Sequence, residues 1–349
     1  MKKLLWILCV IVGLPVMAQD PDAAGKLVEQ GVDLHDNGDY NGAVAKYREA
    51  LKLDSVNLVA MGEIAYSLHM LNKDEESVFW CKKAIAMYPD SSNTGWIYIT
   101  LGNSLDGLDR GDEAIQVYNE GIKKFPNENM LHFNKGVALS MKGQFTEALT
   151  SMEISAKCNP RHPGTQNAMG YLLMGKKRII PALMTFLRFM ILEPTGKRAE
   201  DNLSLIMDLM GAHVEKTGKN DITIYFDPKN AGDNGDSTSN NFSLVEMTLS
   251  LATALDFDKK YKKETAAERM IRKLDLMFSM LKNEDQREGF YWEFYAPYFY
   301  ALKEAGHVET LAYIVLASSK DAEVGKWLSG HKDEIDKFYE WSSNFDWNK

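Results

Sequence analysis

The sequence predicts an all-α chain: a superhelix of stacked helical hairpins over the first half, followed by an all-helical C-terminal region. Three observations carry this. Gly31, Gly102, Gly136 and Gly170 each stand twelve residues before a small residue, Ala43, Ala114, Ala148 and Ala182. Four residues beyond each comes a large one, Tyr47, Tyr118, Met152 and Phe186, and eight further on Ser55, Pro126, Pro160 and Pro194. A fifth copy carries Ala65, Ser77, Cys81 and Pro89 in the same order. A beat of about 34 residues marks a helix–turn–helix unit repeated along the chain, because one such hairpin cannot bury its apolar face alone and neighbours must stack.

Each unit reads as two short amphipathic helices. The small residues let backbones approach, the large residue a turn later fills the gap between them, and the proline stops the second helix because it has no N–H and clashes with the preceding turn. Units starting at Ala24, Leu58, Gly95, Asn129 and Pro163 cover about residues 24–196. The second is longer by three residues, at a loop over Asp90–Thr94. On these positions the chain resembles the tetratricopeptide repeat family; its second half, through Phe290–Leu302 and the Trp-rich end, resembles the C-terminal halves of exported bacterial members of unassigned role. The resemblance implies an α–α superhelix (solenoid) that binds a protein or peptide and performs no chemistry.

The two ends extend the picture. Residues 1–18 have the order of a secretory signal peptide: Lys2 and Lys3, an apolar run from Leu4 to Leu14, Pro15, then Val16 and Ala18 before Gln19. The expectation is export to the periplasm or beyond, with no stable membrane insertion, since that run is too short to span a bilayer. The chain carries a formal charge of −9, and loss of Lys2 and Lys3 takes it to −11. Such acidity argues against a nucleic-acid partner. Cys81 and Cys158 lie in different hairpins and read as apolar fillers, not as a disulfide.

Residues 197–349 are expected to cap or continue the array. Helical patterns run over Ala199–His213, Phe242–Leu255, Glu264–Leu281, Phe290–Glu304, Val308–Ser318 and Ala322–Trp341, with a short extended piece at Asp221–Phe226. Leu302, Gly306 and Leu311 have the spacing of a worn repeat, with leucine where alanine is normal.

The resemblance also implies where a partner would sit. In the family, the first helix of each hairpin lines the concave groove with its second, fifth, ninth, twelfth and thirteenth positions. Here these supply Val28, Val32 and His35; Tyr66, His69 and Met70; Trp96, Ile99 and Asn103; Met130, Phe133 and Met141; and Asn167, Tyr171 and Met174. The expected contact set is Tyr66, His69, Trp96, Ile99, Asn103, Phe133, Asn167 and Tyr171. Chaperone-binding members clamp a C-terminal carboxylate with Lys and Asn at the fifth and ninth positions of their first repeat, where this chain has Val28 and Val32. The expected partner is therefore a protein or peptide with an apolar surface, suited to aromatic and thioether side chains. The groove is either open to it or covered by residues 197–349. Oligomeric state is not legible.

The aromatic run Phe290–Tyr300 offers an alternative reading as a glycan platform built on Trp292; on a helix, aromatics on every side more often mean a surrounded core helix. Asp227, Asn230, Asp233, Asp236 and Asn240 form a polar loop (Asp227–Asn241) without the ligand order of a calcium loop, so no metal is expected. Gly170 to Lys177 nearly matches a phosphate-binding loop, but Lys177 replaces the Ser or Thr that holds magnesium and no strand precedes it. No catalytic residue and no cofactor is expected: the seven histidines are scattered, and no paired-cysteine or nucleophile-elbow pattern is present.

Overall fold

A computed structural model describes residues 22–218, 221–225, 239–282 and 287–347. The signal-peptide reading of residues 1–18 and most of the Asp227–Asn241 loop lie outside the described residues. The chain divides into two compact units, residues 1–117 and 118–349.

In the first unit, α1 (Ala23–Asp36) pairs with α2 (Tyr40–Leu53), and α3 (Leu58–Met70) with α4 (Asp74–Met87); α5 (Gly95–Gly107) packs on both helices of the second pair. α6 (Gly111–Lys124) runs across the division between the units. The local causes are those in the sequence. Asp39 and Asn57 cap α2 and α3 by accepting the Gly42 and Ala60 amides. A side-chain carbon on Gly31 would overlap the Tyr47 ring, so the glycine of the repeat exists to let the large residue in. The second repeat solves the same problem differently. Ser77 stands where alanine is normal, and its hydroxyl donates to the Ala65 carbonyl at 2.8 Å and bonds the Ser104 hydroxyl at 2.8 Å, which satisfies it in the core.

In the second unit, α7 (Asn129–Met141) pairs with α8 (Phe145–Cys158) and α9 (Pro163–Gly175) with α10 (Ile179–Leu192). Gly136 and Gly170 again sit under Met152 and Phe186. Proline at the first position of α9 and the His162 ring accepting the Thr165 amide start that helix. α10 is buried continuously from Ile179 to Ile191. Apart from Thr185 and Arg188 its sequence is apolar all round, and such a helix must be covered on every side. The cover comes from α9, α11 (Lys197–Gly211), α12 (Ser243–Ala254) and α15 (Val308–Val315), together with a π-helical turn, Tyr291–Tyr295, that leads into α14 (Ala296–Glu304). α13 (Ala266–Ser279) packs on α12, α14 and α15 and opens on a Thr265/Glu268 capping box. α16 (Ala322–Gly330) and α17 (Lys332–Ser343) finish the described chain.

Three expectations need correction. The pattern over Ala322–Trp341 is two helices, broken at His331. Its ring stacks on Trp327 (4.2 Å between centroids), and Trp327 stacks on Tyr313 (3.9 Å), so the break seats a three-ring ladder against α15. The extended piece at Asp221–Phe226 contains a strand, β2 (Ile222–Ile224), and it pairs antiparallel with a strand the sequence reading does not include, β1 (Val214–Lys216), directly after the helix expected to end at His213. Cys158 is half-buried, in contrast to the fully buried Cys81; both are free thiols, and burial pushes the Cys81 pKa up to about 12. Gly306 takes a left-handed turn (φ 77°) between α14 and α15, and Leu311 is fully buried.

Candidate partner-binding surface

The eight groove candidates fall five in the first unit and three in the second. In the first unit, Tyr66 is 39% exposed and rests on His35, whose ring stacks on it at 4.7 Å and meets Tyr40 edge-on at 4.9 Å. The His35 ring bonds the Ser67 hydroxyl at 2.7 Å, and burial lowers its pKa. His69 is held by Asp74 at 2.6 Å, so it is an anchored side chain and not a free contact. Trp96 lies over Gly62, where any side chain would collide with its ring; it fills the space between α3 and α5 and is half-buried. Ile99 and Asn103 are half-buried. Met70, next to this cluster, is exposed. The open part of this face is thus Tyr66 and Met70, with Trp96 serving packing as much as contact.

In the second unit, Phe133 packs against the core and meets His162 edge-on at 4.8 Å. Asn167 accepts from the Asn202 side chain of α11 at 2.8 Å, so α11 covers this part of the α9 face. Tyr171 stays 43% exposed, its edge against Phe186. Met141 is 78% exposed and Phe145 also projects to the surface. A cavity of about 360 Å³ opens beside Tyr171 and Phe145. Phe145 was missed because it lies outside the first helices; its signal is that it stands at the repeat position Tyr40 occupies in the first hairpin.

The glycan platform is not there. Trp292 is 2% exposed, stacks on Phe242 at 4.1 Å and donates its indole N–H to the Asn241 carbonyl at 3.0 Å. Tyr291, Tyr295, Tyr298 and Phe299 are buried as well. Tyr295 donates to Gln166 on α9, and Tyr298 is 3.2 Å from Arg188 on α10. The run is a core helix that glues the C-terminal elements to the hairpin α9–α10. The near phosphate-loop is equally structural, since Gly170 makes room for Phe186. No helix among the described residues is long and apolar enough to cross a membrane.

Comparison with known proteins agrees with the repeat reading. Residues 28–92 and 99–163 match the family model of the tetratricopeptide repeat. The fold and this match define a protein that carries tetratricopeptide repeats in an α–α arrangement. A protein named as an STIP1 homolog from Dictyostelium discoideum is 31% identical over 115 residues, 33% of this chain; the chain spans about a fifth (20%) of that relative's length. Among solved structures, the PilF protein of Pseudomonas aeruginosa is 20% identical with a TM-score of 0.49, over 55% of this chain and 84% of that one. PilW, described as a type IV pilus biogenesis factor, is 21% identical with a TM-score of 0.48, over 55% and 88%. A thermophilic repeat protein of Thermus thermophilus is 18% identical with a TM-score of 0.45, over 54% and 99%.

Proposed function

We propose that this protein is an exported scaffold that binds a partner protein or peptide through the first-helix faces of its repeats, and that it acts by binding and not by catalysis. The observation that carries the reading is the set of large apolar side chains these faces leave in solvent, Tyr66 and Met70 in one unit and Met141 and Tyr171 in the other. A soluble chain rarely exposes grouped aromatics and methionines without a use for them, and such side chains are suited to hot-spot contacts. Export rests on the basic pair and apolar run of residues 1–18. Residues 197–349 take the place of a further hairpin, closing the apolar end that the last repeat would otherwise expose.

The test is crosslinking in the native cell with the full chain and with Tyr66→Ala and Tyr171→Ala variants, followed by identification of what is captured. The reading requires a specific protein whose capture falls in the variants while their melting temperatures stay near the parent's. Undiminished capture refutes the placement of the site.

A further inference from the structure

The repeat lets the chain be compared with itself. Tyr40 and Phe145 occupy the same position in their hairpins, at the start of the second helix, and Tyr66 and Tyr171 the same position in the first helix of the following one. In the first unit the space between the two aromatics is filled. The His35 ring stacks on Tyr66, meets Tyr40 edge-on, and is tied to the Ser67 hydroxyl. In the second unit Ser140 stands where His35 stands, and Leu172 where Ser67 stands. The resident ring and its hydrogen-bond partner have both been replaced. Beside the two aromatics lies the cavity of about 360 Å³, with Gly143, Phe145, Glu147, Tyr171, Leu172 and Lys176 in its wall. Two aromatic walls and a leucine make a lining for one ring, since aromatic pairs attract edge-on or offset beyond the area they bury.

Charge selects the flanks of such a ring. Lys176 lies on the wall and donates to the Thr146 hydroxyl at 2.9 Å. Lys142 and Lys177 stand at the two adjoining turns, against one wall carboxylate, Glu147. A cationic border attracts acidic residues on either side of the entering group. The chain's overall charge is −9, so this is a local reversal of sign.

We propose that the cavity between the α7–α8 turn and the end of α9 receives one aromatic side chain of the partner, set in an acidic stretch of its sequence. The proposal deepens the binding function argued above and rests on it. It does not revive recognition of a terminal carboxylate, because the ring, and not a chain end, is the anchor.

The full chain, with labelled leucine and threonine methyl groups, is titrated with acetyl-Glu-Asp-Trp-Asp-Glu-amide and observed by NMR. Saturable shifts at Leu172 and Thr146 are expected. Affinity should fall at least tenfold when the probe's tryptophan becomes glycine, and severalfold when its acidic residues become lysine. Tyr171→Ala should weaken the parent probe about tenfold. The double substitution Ser140→His with Leu172→Ser rebuilds the ring found in the first unit; it should block the probe, read at Thr146, without lowering the melting temperature. Absence of saturable shifts at these methyls, or equal affinity for the tryptophan and glycine probes, overturns the proposal. So does unchanged binding by both folded variants. If the probe fails while capture in cells still depends on Tyr66, only the pocket falls. If the probe seats while capture is indifferent to Tyr66 and Tyr171, the groove reading falls instead.

Discussion

Gly31 and Gly170 are glycine because a ring from the next helix occupies the space a side chain would need. Gly31→Ala and Gly170→Ala each force Tyr47 or Phe186 out of place, so each should cost about 1–3 kcal/mol as overpacking, despite alanine's better helix propensity. Thermal or urea unfolding of the two variants measures this, and a stabilised variant would contradict it. His35 gives a second prediction. Burial outweighs the nearby Asp36 and lowers its pKa below the ordinary 6.5. The folded state therefore binds this proton less readily than the unfolded chain. Its contribution to stability is present above pH 6.5 and is lost as the pH falls through the lower folded value. Stability measured from pH 7.5 to 5 should decline, and His35→Gln should flatten that decline.

Among the elements, α10 and the helices over it decide how the second unit holds together. Arg188 on α10 is buried and bonded to neutral oxygens: its Nε donates to the Pro160 carbonyl at 3.3 Å, and its guanidinium to Tyr298 at 3.2 Å and Ser342 at 3.0 Å. It also lies 5.0 Å from the Tyr298 and Trp347 ring centres. Arg188→Ala should cost about 3 kcal/mol through lost packing and unmade bonds. Arg188→Met should cost less, because Tyr298 and Ser342 still bond each other at 2.7 Å and the stem volume is kept. Denaturant unfolding separates the two variants. In hydrogen exchange, α10 amides should be the slowest of residues 118–349, and protection of α17 should fall in Arg188→Ala.

The repeat elements were legible because their signals are local and recur: glycine, alanine, large residue and proline at a fixed period leave little freedom. The elements that cover α10 were legible as helices but not as cover, since nothing in Tyr295 or Tyr298 says that Gln166 or Arg188 will meet them. The aromatic run was ambiguous for that reason, and burial of Trp292 resolves it. The helical pattern breaks at Gly330–His331, where glycine is a poor helix former, and the ring ladder of His331, Trp327 and Tyr313 is seated at the break. Of the contact candidates, Tyr66 and Tyr171 are open, Trp96 and Asn167 are engaged within the fold, and Phe145 could be found only by laying one repeat over another.

For the whole molecule, the central claim is recognition by exposed aromatic side chains on the repeats, independent of any chemistry. The most direct measurement is capture in the native cell by the full chain and by the Tyr66→Ala, Tyr171→Ala double variant. Both residues are more than a third exposed, so their loss should leave the melting temperature within about 2 °C of the parent, as surface truncations do. The account predicts a specific captured protein that drops at least tenfold in the double variant while other associations persist. Capture of the same protein at the same level by a folded double variant would contradict it.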